Sequence, residues 1–202
     1  MRYTGPKAKK ARRLGLAFTP KEAKVMQRRN FAPGQHGQNR VRLSEYGLQL
    51  KEKQKAKFAY GLMEKQFSNY FQKALKQAGV TGDNLLKLLE SRLDNLVFRL
   101  GFAQTRAQAR QMVSHGFFEV NGKKVDIPSY GTKVGDTVAV RQSKLKSKLA
   151  ESLKEKVKSV KTQEWLELNP AKLSGKILGS PEPEDIKTLV NTQLIVEHYS
   201  RT

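Results

Sequence analysis

The stretch from Ser91 to Ile127, SRLDNLVFRLGFAQTRAQARQMVSHGFFEVNGKKVDI, decides the fold, because its hydrophobic period changes from 3.6 residues to 2 partway along. Leu93, Leu96, Val97 and Leu100 form the buried stripe of a short helix ended by Gly101, with Ser91-Arg92-Leu93-Asp94 reading as a capping box in front of it. Thr105 caps a second helix that turns Ala109, Met112 and Val113 inward and stops at Gly116. Beyond Gly116, Phe118 and Val120, then Val125 and Ile127, alternate about Asn121-Gly122, a turn whose two residues both tolerate positive φ. With a further strand from Thr137 to Arg141, the segment is predicted to be two short helices on a small antiparallel sheet.

Working outward, the N-terminal side is helical. Ser44 caps a polar helix through Lys57 with Leu48, Leu50 and Phe58 inward. Met63, Phe67, Tyr70, Phe71, Ala74, Leu75 and Ala78 follow at helical spacing up to Gly79, and Asp83 caps a Leu-rich helix over 85–90. On the C-terminal side, Leu145, Leu149, Leu153, Val157 and Val160 stripe a helix. Pro170, Pro181 and Pro183 then break regularity, and Thr188 to Tyr199 is apolar enough to dock.

The 39 Lys and Arg exceed the 18 Asp and Glu by 21, a charge that repels itself in a compact fold unless a polyanion is present. Residues 1–42 hold 12 basic side chains and 1 acidic, residues 91–148 hold 11 and 4, and residues 149–202 hold 8 of each. Half of the excess thus lies in a Gly- and Pro-containing arm, predicted to order on a partner. At 38% hydrophobic residues the remainder can still bury a core. No run approaches the ~18 apolar residues of a membrane span, and the apolar stretch Leu14–Phe18 is too short for a signal peptide, so a soluble chain with no membrane contact is expected.

The absence of Cys excludes disulfides and Cys-ligated metal, and the three histidines are not at ligand spacing, so no metal or other cofactor is expected. No nucleophile–base pair, paired carboxylates or phosphate-cradling loop has a recognisable context, which argues against an enzyme with a small-molecule substrate. What the chain does offer is phosphate-gripping chemistry. Arg106 and Arg110 project from one side of the second helix, with Gln104, Thr105, Gln108, Gln111, Ser114 and His115 around them and Lys123 and Lys124 beside the hairpin turn. From the helix residues alone a solvated face is the better account, and the nearby Lys123 and Lys124 favour the phosphate-gripping one. Pro33-Gly34-Gln35-His36-Gly37 permits close backbone approach, with Gln35 and His36 able to bond sugar or base edges, although a plain flexible turn reads the same. Tyr46, Phe58, Tyr60 and Trp165 fit core positions better than base stacking.

The string Ser91-Arg92-Leu93-Asp94-Asn95-Leu96-Val97, then Arg99-Leu100-Gly101, Thr105-Arg106, Gln108-Ala109-Arg110-Gln111, His115-Gly116 and Val120-Asn121-Gly122 resembles the RNA-binding module named after ribosomal protein four of the small subunit. Arg12-Arg13-Leu14-Gly15, Pro33 to Gly37, Leu43 to Leu50, Glu52 to Lys55, Ile127 to Tyr130, and the ending Leu194 to Glu197 with Tyr199-Ser200-Arg201 are similar to the bacterial-type family of that protein at matching places. The resemblance implies an α+β chain: a mostly helical domain (43–90, rejoined by 187–202), an inserted RNA-binding module (91–154), an irregular connection packed on it (155–186), and an extended basic N-terminal arm (1–42). It implies binding to small-subunit rRNA at a helix junction in the 5′ region early in assembly. It also implies contact with small-subunit protein five, linked to decoding accuracy, and a place near the channel by which messenger RNA enters. Leu16 to Gln27 lacks the four zinc-binding cysteines of many members, so the zinc-free form is implied. Gln104, Ala107 and Phe117 stand where members often carry Arg, Arg and His, which puts individual base contacts in doubt.

The rRNA-binding residues expected on this basis are Arg2, Lys7, Lys10, Arg12, Arg13, Arg28, Arg29, Gln35, His36, Arg40, Arg42 and Gln49, then Arg92, Arg106, Gln108, Arg110, His115 and Lys123 in the module. Arg106 and Arg110 are expected to serve binding and not stability. An RNA-modifying or tRNA-charging enzyme that borrows the module would need a catalytic domain for which residues 43–90 and 142–202 leave too little chain. A DNA-binding protein would be suggested by charge alone.

Overall fold

The structure is a computed structural model and describes residues 3–39, 42–157, 160, 162–181 and 190–201. Its helices are α1 (Lys7–Leu14), α2 (Pro20–Arg28), α3 (Glu45–Ala59), α4 (Glu64–Leu75), α5 (Thr81–Glu90), α6 (Leu93–Arg99), α7 (Arg106–Ser114), α8 (Lys148–Val157) and α9 (Thr192–Ser200). The strands are β1 (Phe118–Val120), β2 (Lys123–Lys124), β3 (Thr137–Val140), β4 (Leu166–Asn169) and β5 (Ser174–Ile177). The fold is therefore α+β, mainly helical with one small sheet. Two units separate, Met1–Leu85 with Lys187–Thr202, and Leu86–Ile186.

In the first unit, the basic arm departs from the extended form expected of it. The Thr19 hydroxyl accepts the Glu22 N–H at the start of α2, Pro20 fits the first helical turn, and α1 buries Ala11 and Leu14. In α3 the Ser44 hydroxyl accepts the Gly47 N–H as expected, but the inward face is not the one that hydropathy selects. Leu48 is exposed, whereas Gln49 and Lys53 are buried with Ala56 and Ala59. The cause is α9. Gln49 Nε2 donates to Glu197 Oε2 at 3.1 Å, and Lys53 Nζ donates to Glu64 Oε1 at 2.6 Å, which Tyr199 Oη also reaches at 3.3 Å. The Tyr199 ring stacks on Phe71 at 4.4 Å. In α4, Phe67, Phe71 and Ala74 are inward, but the helix ends at Leu75, so Leu75 and Ala78 point to solvent. Asp83 lies inside the first turn of α5 and is not its cap.

This polar seam gives the unit a pH signature. Burial alone pushes the Glu64 carboxyl up, but hydrogen bonds and charge from Lys53 and Lys57 outweigh it and hold its pKa down at about 2, against an ordinary 4.5. Burial, then the charge of Lys53, lowers the His198 imidazole below its ordinary 6.5, with Glu64 opposing. A depressed folded pKa means stability that is complete above the unfolded value and lost as pH falls through the folded one. Both groups act in that sense. The melting midpoint is therefore expected to decline below pH 6.5 and more steeply below 4.5, and His198→Gln should remove the first of these declines in thermal melts between pH 7 and 3. A midpoint that rises between pH 7 and 5 would contradict the assignment.

The second unit packs α6, α7 and α8 on an antiparallel sheet of strand order β2-β1-β3-β5-β4. Leu93, Leu96, Val97, Leu100, Ala109, Met112 and Val113 meet Phe118, Val120, Val138 and Val140 in one core, joined by Trp165, Leu166, Leu173 and Ile177. Thr105 caps α7 through the Gln108 N–H at 3.2 Å. Asn121 (φ 50°) and Gly122 (φ 76°) make the tight turn, and Asn121 Oδ1 accepts the Thr137 N–H, tying the turn to β3.

Four expectations change here. The segment expected to be an irregular connection contains the β4–β5 hairpin, with Val138 opposite Gly175 and Leu168 opposite Gly175 on the far side. The strand after the turn is only β2, and Ile127 is exposed. In α8, Ala150 is buried and Leu149 exposed. Ser91-Arg92-Leu93-Asp94 is no capping box: α6 begins without a side-chain cap, and the Leu93 and Asp94 N–H groups donate to the Tyr130 and Pro128 carbonyls of a distant loop.

Candidate nucleic-acid interface

Residues 3–39 carry nine cations against the single carboxylate of Glu22. That carboxylate is buried and accepts the Phe18 N–H at 2.8 Å. Among the described residues no carboxylate pairs with Lys7, Lys9, Arg13, Lys21, Lys24, Arg28 or Arg29, all exposed. Of these, Lys9, Lys21 and Lys24 were not singled out from sequence, although their cationic surroundings carry the same signal. Arg42 is exposed too, while Arg2 and Arg40 lie outside the described residues.

Two expected contacts in the arm do different work. Lys10 lies over the Phe58 ring at 5.1 Å and the Tyr3 ring at 5.4 Å. Arg12 donates from Nε to the Phe31 carbonyl at 2.9 Å and from Nη2 to the Ala32 carbonyl at 3.3 Å, with its guanidinium 4.9 Å from the centre of the Phe31 ring. It pins the start of the Pro33–Gly37 loop. That loop is built, not slack: the Gly37 N–H donates to the Gly34 carbonyl, and a Cβ on Gly37 would sit 1.8 Å from the Ala32 oxygen, so no other residue fits. Gln35 and His36 are exposed on it. Gln49, by contrast, is buried against Glu197 and is withdrawn as a contact in this conformation.

In the module, Arg92 is also corrected. Its side chain is 2% exposed and donates from Nε and Nη2 to the two oxygens of Asp94 at 3.0 and 2.8 Å, so it faces the interior. Arg106 and Arg110 do share the exposed side of α7, but each is held from beneath. Arg106 Nε donates to Asn95 Oδ1 at 2.7 Å, and Arg110 Nη1 donates to Asp94 Oδ2 at 3.2 Å. Each side chain keeps about a fifth of its surface in solvent, and each is bonded from within the fold, so both serve stability as well as any contact, contrary to the expectation of binding alone. Gln108 Oε1 accepts the Gln104 N–H at 2.9 Å and stiffens the entrance to α7.

His115 and Lys123 are exposed. Lys124 and Arg141, not among the expected contacts, converge at Gly116: a Cβ there would lie 3.6 Å from Lys124 Nζ and 3.8 Å from Arg141 Nη1. The sequence already places Lys124 with Lys123 beside the hairpin turn; nothing local flags Arg141. Rigid cations and amides over one helix face of the second unit, and a pinned loop in the highly cationic arm of the first, each suit contact with a polyphosphate backbone.

Comparisons with known proteins agree on one family. Residues 2–90 match the model described as the ribosomal protein S4/S9 N-terminal domain, and residues 91–138 match the S4 domain. The small ribosomal subunit protein uS4 of Roseiflexus sp. (strain RS-1) is 51% identical over 204 residues, spanning 99% of this chain and 99% of that protein. The protein of the same name from Chlorobium limicola is 52% identical over 202 residues with the same coverage, and that from Thermodesulfovibrio yellowstonii is 50% identical over 209.

Proposed function

Because the chain belongs to the bacterial-type uS4 family of small-subunit ribosomal proteins, structural proteins and not enzymes, we propose that it binds small-subunit rRNA directly, at a junction of helices in the 5′ region, early in assembly. Its place is then the cytoplasmic small ribosomal subunit. The observation that carries the RNA reading is the arm, where exposed cations stand without carboxylate partners among the described residues while the one acid is spent internally. A polyanion neutralises such charge and relieves the self-repulsion that the arm otherwise carries.

The mode of recognition is shape. The deep major groove of helical RNA offers no readable base code, so a fixed array of Arg, Lys and amide groups matches the backbone geometry where helices meet. The pinned Pro33–Gly37 loop, with Gln35 and His36 outward, supports contact with sugars or unpaired bases at that junction. The C-terminal quarter, with no net charge, is the part suited to protein neighbours. Protein five, a share in decoding accuracy and a position near the channel by which messenger RNA enters belong to this reading.

Footprinting small-subunit RNA with and without the protein should protect a helix junction in the 5′ region. Binding should also weaken with salt, with a log–log slope of roughly −3 to −5 for about five phosphate contacts. A flat salt dependence, or comparable affinity for duplex DNA in competition, would overturn the proposal.

A further inference from the structure

Glu90 is a carboxylate with no solvent exposure at the C-terminal end of a helix, where both the burial and the helix dipole disfavour an anion. Its surroundings explain why it stays. Arg99 grips it in a two-point fork, Nε to Oε2 at 2.9 Å and Nη2 to Oε1 at 2.7 Å. Asn95 Nδ2 donates to Oε2 at 2.6 Å, and the same Asn95 accepts Arg106 Nε through Oδ1. Arg106 Nη2 lies 3.9 Å from Glu90 Oε1, and its guanidinium covers the Phe98 ring at 4.6 Å.

One carboxylate and one amide thus fix two guanidiniums from two different helices. The Arg99 and Arg106 side chains are 22% and 18% exposed, so each is anchored on one side and meets solvent on the other. Two positive charges against one negative leave an excess on the outer side, at a geometry set before any ligand arrives. Such fixing lowers the ordering cost of binding, since a long side chain held in place loses little freedom on contact.

We propose that Glu90 is a positioning residue for RNA recognition, and that Arg99, which it holds beside Arg106, is a further contact to the RNA phosphate backbone. The proposal rests on the rRNA-binding reading above and adds a residue pair to it. Charge alone makes the opposite prediction for one substitution, because Glu90→Gln keeps the shape of the side chain while raising the net positive charge by one.

The test measures the affinity of the full chain for a small-subunit RNA fragment containing the 5′ junction, across a range of salt. Glu90→Gln is expected to bind about tenfold more weakly, the scale of one charge-assisted hydrogen bond, with a salt slope no steeper than that of the unaltered chain. Arg99→Lys keeps the charge but loses the fork on the buried Glu90; it should lower the melting midpoint and, measured well below that midpoint, bind roughly five- to tenfold more weakly. Tighter or unchanged binding by Glu90→Gln overturns the positioning role, and unaltered affinity in Arg99→Lys overturns the contact. If Glu90→Gln fails to fold, Arg99→Lys decides alone. An unaltered chain that does not bind the fragment refutes the rRNA-binding reading itself, and the proposal with it.

Discussion

Asp94→Ala is expected to destabilise the 86–186 unit by about 3–5 kcal/mol, the cost of breaking a buried ion pair from one side. Asp94 is 4% exposed and receives Arg92 at 3.0 and 2.8 Å and Arg110 at 3.2 Å. Alanine leaves the buried Arg92 guanidinium without its two-point partner and frees Arg110 from its anchor. For a unit of this size the midpoint should fall by roughly 15–30 °C in calorimetry. The exposed pair Lys124–Asp126, also at 3.2 Å, is the comparison: Asp126→Ala should change stability by less than about 1 kcal/mol, since solvent screens a pair whose side chains are about half exposed. If the two substitutions lowered the midpoint equally, burial would not be what gives Asp94 its weight.

The same residue shows where sequence reasoning stops. Helices α6 and α7 and the Asn121-Gly122 turn were legible because their determinants are local: a stripe of Leu and Val, a Thr three residues from the N–H it accepts, two turn residues at positive φ. Ser91-Arg92-Leu93-Asp94 has the spacing of a capping box, yet the chain at 128–132 returns to fill that role. The Tyr130 and Pro128 carbonyls take the N–H groups of Leu93 and Asp94, and Thr132 donates to the Ser91 carbonyl from both its N–H and its hydroxyl. Asp94 is then left to bind arginine. Distance along the chain also hid the β4–β5 hairpin, which joins the sheet through β5 pairing with β3 more than 30 residues earlier and which turns through Leu173 at φ 48°, a conformation that leucine rarely signals. Gln49 and Lys53 face inward because Glu197 and Tyr199, far off in sequence, bring partners for a polar helix face.

The site was legible as charge and illegible as geometry. That the arm is cationic follows from counting. Which cations are presented and which are spent needs the Phe31 and Ala32 carbonyls that hold Arg12, and the buried carboxylates that hold Arg92, Arg99, Arg106 and Arg110. Arginine can be the interior partner of a buried acid as readily as a phosphate ligand, and residue type alone does not separate the two.

That division yields the second large effect. Replacing Lys7, Lys9, Arg13, Arg28 and Arg29 together with Gln should lower affinity for small-subunit RNA about a thousandfold near 0.1 M salt and make the log–log slope less negative by about 3 to 5, because each lost phosphate contact no longer releases a condensed counterion. All five side chains are exposed and none has a carboxylate partner among the described residues, so the fold gives up no ion pair. The melting midpoint of the free protein should hold or rise as self-repulsion is relieved. Arg12→Gln separates presented from pinning cations within the same arm. It removes one charge and two hydrogen bonds to carbonyls, so it should loosen the Pro33–Gly37 loop and lower the midpoint while shifting the salt slope by no more than about 1. Retained affinity in the fivefold variant, measured by RNA titration at two salt concentrations, would move the polyanion contact away from the arm and onto the α7 face. In that outcome the charge of residues 1–42 would have no neutralising partner, and its persistence against its own repulsion would need another polyanion.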